Sequence, residues 1–196
     1  MGRRAVIQRT TSETDIQVTL DLDGTGEHRV ETGIPFLNHM LAQVARHGRF
    51  DLNVQAPGDL SVDLHHTVED VGIVLGDAVS PALGDKAGSL RYGAARVPME
   101  EALASAVIDL SGRPFLVFQA PQLTGRIGEF EADLVREFFH GLTNHLRANV
   151  HIHVEYGQNL HHMAEALFKA AGRALHQATT VDPRLPGIVP STKGSL

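Results

Sequence analysis

The motif His-His-x-x-Glu occurs twice in this chain, at 65–69 and at 161–165. Each copy supplies two imidazoles and a carboxylate within five residues. On a helix, positions three or four apart share a face, whereas adjacent side chains diverge by about 100°. One histidine of each pair can therefore join the glutamate on one ion, and we expect its neighbour to serve a second ion.

The donors available to such a site are nitrogen and oxygen, because the chain has no cysteine. They suit a six-coordinate divalent ion such as Mn²⁺ or Fe²⁺, while Zn²⁺ and Ni²⁺ remain open. A single copy of the motif is equally well explained by solvated histidines at a helix start. Two copies in a chain with 12 histidines favour a metal site. The predicted ligands are His65, His66, Glu69, His161, His162 and Glu165.

A further ligand is expected from a helix that precedes each motif. His39 lies 26 residues before His65, and Glu137 lies 24 residues before His161. A carboxylate can replace an imidazole as a ligand, so both are predicted ligands. The competing candidates in the second region are His140, His145, His151 and His153. The last two alternate with apolar residues as in a strand, which predicts that they face solvent.

The repeated motif is part of a longer internal repeat. Glu13 and the segment Asp21–Gly24 align with Glu101 and Asp109–Gly112 at an offset of 88. His47 aligns with His145 at an offset of 98, and the two His-His-x-x-Glu motifs align at 96. Differences in loop length absorb this drift. We predict two half-units of about 90 residues, at 1–92 and 93–182, and an irregular tail at 183–196.

Hydrophobic periodicity predicts the same elements in both halves. In the first half it indicates strands at 16–22, 27–32 and 52–56 and helices at 36–47 and 67–83. In the second half it indicates strands near 103–110, 114–119 and 150–156 and helices near 131–147 and 162–178. The predicted fold is α+β, in which each half is a mixed or antiparallel sheet with two helices on one face.

The composition argues against several classes of protein. A net charge of −6 over 196 residues, without a Lys/Arg cluster, gives no footprint for nucleic acid. No apolar run approaches the roughly 20 residues of a membrane helix, and the first residues lack the apolar segment of a signal peptide. The lack of cysteine rules out a disulfide framework. We therefore expect a cytoplasmic protein that binds neither membranes nor nucleic acid.

A set of motifs that runs nearly end to end resembles the imidazoleglycerol-phosphate dehydratase family, the hydro-lyases of histidine biosynthesis. The motifs are Arg9–Thr14, Gly33–Leu41, Asp63–Asp70, Arg91–Gly93, Asp109–Pro114, His161–Ala170 and Pro190–Gly194. The resemblance implies a duplicated α+β fold that assembles with metal into a 24-subunit cage built from trimers. It also implies two Mn²⁺ ions per active site, located where subunits meet, and no organic cofactor.

By position, the resemblance assigns the ligands His39, His65, His66, Glu69, His161, His162 and Glu165. Many members of the family have a histidine where Glu137 stands, so Glu137 is predicted to replace it. The implied substrate carries a dianionic phosphate, which needs several cationic and hydroxyl donors. The residues expected to supply them are Arg91, Arg113, Lys169, Ser191, Thr192 and Lys193.

The reaction removes water from the glycerol chain of imidazoleglycerol phosphate. A metal on a ring nitrogen would stabilise an imidazolate, from which hydroxide can be expelled. We expect Glu13 to act as general acid/base, because neither metal nor phosphate accounts for this carboxylate, with His66 and Glu165 also at the reacting centre. His39 and His47 complete the predicted substrate contacts.

Two other functions fit parts of this pattern. A metal-dependent phosphohydrolase would use the same metal and phosphate groups and would release inorganic phosphate. A non-catalytic metal store or scaffold would bind variable amounts of metal and would have no use for Arg91, Arg113 or Lys169. The product formed from imidazoleglycerol phosphate distinguishes these functions.

Overall fold

The two halves of the chain fold into the same series of elements. The computed structural model describes residues 2–194. The elements of the first half are β1 (Arg4–Thr10), β2 (Asp15–Asp21), β3 (His28–Glu31), α1 (Pro35–Gly48), β4 (Asp51–Gln55) and α2 (His65–Leu83). Those of the second half are β5 (Tyr92–Met99), β6 (Ala102–Asp109), β7 (Phe115–Gln119), β8 (Arg126–Ile127), β9 (Phe130–Glu131), α3 (Leu134–Leu146), β10 (Asn149–Tyr156) and α4 (Leu160–Thr179).

The sheets of the two halves have equivalent topologies. Their strand orders are β1-β2-β4-β3 and β5-β6-β10-β7. In each sheet the last pair is parallel and the other pairs are antiparallel. The duplicated α+β fold predicted from the offsets is thus confirmed. The short antiparallel hairpin β8–β9 is an addition in the second half.

Local sequence explains the main elements. In β2, Ile16, Val18 and Leu20 alternate with polar residues and are at most 1% exposed, so one face of the strand enters the core. Helix α1 has Pro35 in its first turn, where no backbone donor is lost, and it is followed by the C-cap residue Arg49 in the left-handed region (φ 56°). Each predicted segment matches an observed element within a few residues.

Each helix packs against its own sheet and against a helix of the other half. Helix α1 lies on α4 and α2 lies on α3, which places the four helices between the two sheets and gives one continuous core. Close approach requires small residues at these contacts. A Cβ on Gly141 of α3 would lie 2.7 Å from the Glu69 carbonyl oxygen, and one on Gly172 of α4 would lie 2.8 Å from that of Val44.

Strands β1 and β5 and the hairpin β8–β9 were not predicted. Strands β1 and β5 are edge strands, so much of their surface is exposed and their alternation is weak. The tail has no helix or strand over 183–194, as predicted, and its last two residues lie outside the described part of the chain. None of the helices in residues 2–194 has the length and apolar character needed to cross a bilayer.

Candidate metal centre and active site

Three ligand-type side chains meet where α1 of the first half packs on α4 of the second. Glu165 Oε2 lies 3.0 Å from Nε2 of His39 and 3.0 Å from Nε2 of His161. His161 and Glu165 are four residues apart on α4 and share a face, while His39 reaches them from α1. Their ligand atoms all lie within 4.8 Å of one another, the one such group of three found in residues 2–194.

Glu165 is the buried anion of this triad. Its side chain is 7% exposed, whereas each imidazole is 42% exposed. Burial acts to raise the pKa of Glu165, but hydrogen bonds from Lys169 and His39 outweigh it and hold the pKa at about 2. Lys169 Nζ lies 2.8 Å from the other carboxylate oxygen. Two imidazole nitrogens and an anionic oxygen are a suitable donor set for a divalent metal, so the residues fit the predicted ion.

The first His-His-x-x-Glu motif begins α2 and forms a second cluster. His65 Nε2 lies 3.6 Å from Glu69 Oε2. The His66 ring is turned 83° from that of His65, and its Nε2 lies 3.9 Å from Glu13 Oε1. Its Nδ1 lies 3.0 Å from the Asp59 carboxylate, and this hydrogen bond raises the pKa of His66. The two rings therefore diverge, as expected of adjacent positions on a helix.

The second motif has the same divergence. The rings of His161 and His162 are inclined by 81°, with centroids 6.3 Å apart. While His161 faces Glu165, His162 Nδ1 lies 2.7 Å from Glu101 Oε2. Asn159 precedes both at the N-cap of α4, where its side chain accepts hydrogen bonds from their backbone N–H groups. The cap fixes the backbone from which the two rings diverge.

Glu137 lies apart from these clusters within residues 2–194. It is on α3, where its carboxylate is 3.3 Å from Arg136 Nη1, and it lines a groove of about 730 Å³ together with His153. His145, a competing candidate, pairs instead with Asp77 at 2.9 Å. One chain thus brings together His39, His161 and Glu165, while the other predicted ligands are distributed over separate clusters.

The cationic residues predicted for phosphate also lie in separate places. Arg113 and Lys193 line a cavity of about 390 Å³ together with Lys86 and Arg147. Burial lowers the pKa of the Lys86 amine, and Arg147 lowers it further, as expected where cationic groups share a cavity. Lys169 does not line this cavity. It lies on α4, where its Nζ is 2.8 Å from Glu165 Oε1.

Arg91 connects the second sheet to the tail. Its Nε lies 2.7 Å from Asp109 Oδ1, and its Nη1 donates to the Pro190 carbonyl oxygen at 2.9 Å. Beyond Pro190, the Ser191 hydroxyl accepts a hydrogen bond from the Lys193 backbone N–H at 3.2 Å, and Thr192 is exposed. The tail is therefore held near the cationic cavity.

His47 lies on the last turn of α1, near enough to Lys169 for the charge of that amine to affect it. Burial lowers the pKa of His47, and the charges of Lys169 and Arg173 lower it further. It lines a cavity of about 450 Å³ with Arg49, Arg173 and His176. The predicted substrate contact thus stands in a strongly cationic setting.

Four residues near these sites were not singled out by sequence reasoning: Asp59, Glu101, Lys86 and Arg147. No sequence motif marks Asp59, Lys86 or Arg147. They come close to the site residues only in the folded chain. Glu101 had one usable signal, its alignment with Glu13 in the repeat.

The fold and this triad define a duplicated α+β protein with a candidate metal site between its halves. The family model described as imidazoleglycerol-phosphate dehydratase matches residues 32–175. Over 196 residues, the chain is 56% identical to the imidazoleglycerol-phosphate dehydratase of Geobacter metallireducens, with all of both chains covered. It is 54% identical to that of Acidithiobacillus ferrooxidans, covering 99% of this chain and 98% of the relative.

Solved structures agree. The crystal structure of the Staphylococcus aureus dehydratase superposes with a TM-score of 0.83 at 38% identity, covering 91% of this chain and 99% of that one. The Pyrococcus furiosus structure, in complex with (S)-C348, gives 0.81 at 36% identity, covering 97% and 100%. The chain therefore belongs to the imidazoleglycerol-phosphate dehydratase family and is a hydro-lyase of histidine biosynthesis, as its motifs predicted.

Proposed function

We propose that this hydro-lyase converts imidazoleglycerol phosphate to imidazoleacetol phosphate with two Mn²⁺ ions per active site and no organic cofactor. The observation that carries the proposal is the triad of His39, His161 and Glu165, because it gives a family member a preformed set of metal donors. When bound, the ions supply Lewis acidity that stabilises negative charge on the imidazole ring.

The ligands proposed for the two ions include the triad and the other parts of both motifs. They are His39, His65, His66, Glu69, His161, His162 and Glu165, with Glu137 in the place of a histidine. Their distribution over several clusters of one chain supports sites completed between subunits. We accordingly propose a homo-oligomer, a 24-mer built from trimers, that works in the cytoplasm and associates with neither membranes nor nucleic acid.

The bond changes follow from the product. Its ketone lies on the second carbon of the chain, so the oxygen that leaves is on the first carbon, the one attached to the ring. Loss of the ring N–H proton supplies the electron pair that expels that oxygen, which leaves with a proton as water; the ring nitrogen regains a proton in the product. The second carbon then loses its proton to give an enol. The first carbon gains a proton and the enol hydroxyl loses one, which gives the ketone.

Glu13 is proposed as the acid/base for these proton transfers. Its carboxylate is 49% exposed and lies 3.9 Å from Nε2 of His66, a proposed ligand. It thus stands beside the reacting centre without being committed to a close ion pair. His66 and Glu165 are proposed to contact the reacting centre as ligands, and His39 and His47 to line the substrate site.

The phosphate is proposed to bind the cationic cavity and the tail. Arg113 and Lys193 line that cavity, and Arg91 holds the tail through Pro190. The proposed phosphate contacts are Arg91, Arg113, Lys169, Ser191, Thr192 and Lys193. In this proposal the half-units span 1–92 and 93–182, and the segment 183–196 closes over the phosphate.

The test is an assay of Mn²⁺-loaded protein with imidazoleglycerol phosphate that follows both the acetol product and inorganic phosphate. We expect stoichiometric conversion to imidazoleacetol phosphate without phosphate release. Release of phosphate would instead identify a phosphohydrolase. Binding of metal without turnover would identify a metal store.

A further inference from the structure

The second histidine of each His-His pair is held by a carboxylate from outside its helix. His66 Nδ1 lies 3.0 Å from the Asp59 carboxylate, and His162 Nδ1 lies 2.7 Å from Glu101 Oε2. A carboxylate can only accept, so in both pairs Nδ1 is the donor. The lone pair of each ring is therefore left on Nε2, the atom free for a metal.

The two carboxylates do not occupy equivalent positions in the repeat. Asp59 follows Gly58, whose added Cβ would contact Thr14 and Thr67. In the second half, Gly157 holds the matching place, because its Cβ would contact Ala102 and Met163. The residue that corresponds to Asp59 is thus Gln158, whose amide lacks the charge of a carboxylate.

In the second half the carboxylate that contacts Nδ1 comes from Glu101, which aligns with Glu13 in the repeat. Both stand in the turn between the first two strands of their sheets. In the first half Asp59 orients His66, and Glu13 remains 3.9 Å from its Nε2. In the second half the carboxylate of Glu101 has turned to Nδ1. Glu13 and Glu101 thus occupy equivalent positions but contact different nitrogens of the histidine rings.

The hydrogen bonds that Glu101 accepts use both oxygens of its carboxylate. Oε1 accepts from the backbone N–H groups of Gln158 at 3.2 Å and Asn159 at 2.8 Å, and Oε2 accepts from His162. Glu101 therefore couples the loop before α4 to the ring of His162.

We propose that Glu101 is a positioning residue for the metal ligand His162, which it holds in the tautomer protonated on Nδ1. The inference rests on the ligand assignment made in the proposed function. Carboxylates that orient ligating histidines raise metal affinity about 10- to 100-fold. Glu101 acts on the metal through His162 and has no part in proton transfer to the substrate.

The decisive variant is Glu101→Gln, because glutamine offers one oxygen where two are needed. If that oxygen serves the backbone N–H groups, the amide NH₂ faces Nδ1, and His162 must carry its proton on Nε2. That tautomer has no lone pair on Nε2, so metal binding there must first move the proton and break the hydrogen bond to the amide. The matched control is Glu100→Gln, which removes the neighbouring exposed carboxylate.

The measurement is a Mn²⁺ titration of the purified, metal-stripped chain, followed by the electron paramagnetic resonance signal of free Mn²⁺. We expect one class of sites in the Glu101→Gln variant to bind about 10- to 100-fold more weakly, while Glu100→Gln matches the wild type. Glu101→Asp keeps two oxygens and should recover part of the affinity. Turnover of Glu101→Gln should rise with excess Mn²⁺.

Several results would overturn the inference. Wild-type affinity in Glu101→Gln would remove the positioning role. Equal losses of affinity and of metal-free thermal stability in the Gln and Asp variants would reduce Glu101 to a structural tie for the loop. A wild type that binds no Mn²⁺ would overturn both this role and the ligand assignment. If Mn²⁺ binds as expected but imidazoleglycerol phosphate is not converted, the proposed function fails while the positioning role stands.

Discussion

His39 and Glu165 are 126 positions apart in the chain, yet Nε2 of one lies 3.0 Å from Oε2 of the other. The contact forms because α1 packs closely on α4, with Gly172 at the interface. The first half of the duplicated chain thus supplies one donor of the triad and the second half supplies two. The donor set therefore depends on how the halves are docked as well as on each motif.

Replacing Glu13 separates proton transfer from metal binding. Glu13→Gln should leave the Mn²⁺ content unchanged, because Glu13 is not a proposed ligand, and should lower kcat by about 100-fold or more. Metal analysis and steady-state kinetics on the same preparation measure both quantities. Near-normal turnover would exclude Glu13 as acid/base, and loss of metal would instead make it part of the ion site.

Removal of metal should dissociate the proposed 24-subunit assembly. Within one chain the proposed ligands His39, His65 and His162 lie in three different clusters, so each ion needs donors that one cluster does not supply. Light scattering should detect a large particle with Mn²⁺ and a much smaller one after chelation, with recovery when Mn²⁺ is returned. A monomer saturated with metal would contradict the proposed shared sites.

The cationic cavity should control binding of the substrate more than its conversion. Arg113→Gln removes a charged donor from the cavity that it shares with Lys193, and we expect KM to rise about 10-fold or more. Metal content should stay at the wild-type value. Arg29→Gln is the control, since Arg29 is an exposed arginine on the first sheet that pairs with Glu31. An equal KM in both variants would place the phosphate elsewhere.

Asp182 should hold the start of the tail. Hydrogen bonds from Arg184 lower its pKa from 3.8 to about 2, so its contribution to stability is complete above about pH 4 and is lost as the pH falls through about 2. The difference in Tm between the wild type and Asp182→Asn should therefore shrink toward zero over that interval. At neutral pH the variant should be cleaved by trypsin after Arg184 faster than the exposed-loop control Asp85→Asn. A Tm difference that does not depend on pH would refute the assignment.

Local sequence patterns predict most of the helices and strands of this fold. Alternating apolar residues located β2, β6 and β10, and helical spacing located all four helices, because buried faces impose those periods. The edge strands β1 and β5 were not predicted. An exposed strand at a sheet edge needs few apolar residues, so its apolar alternation is weak. The irregular tail was evident from its composition, whereas its anchoring by Arg91 depends on a contact across the fold.

The candidate site was predictable to the extent that it is local. The spacing of His161 and Glu165 on one helix face predicted two members of the triad, and the expected ligand on a preceding helix was His39. The hydrogen bonds of Asp59 and Glu101 to the two histidines were not predicted, because a contact to Nδ1 has no signature in residue spacing. The separate position of Glu137 depends on how α3 is oriented, which its own sequence does not specify.

The matching strand orders of the two sheets carry a consequence for ancestry. In the repeat α1 corresponds to α3 and α2 to α4, so the α1–α4 and α2–α3 contacts are equivalent, as they would be in a pair of identical half-length chains. A single chain that contains both copies keeps them together and lets the sequence of each copy change separately. Glu13 and Glu101 show such a change, because they occupy equivalent positions and make different contacts.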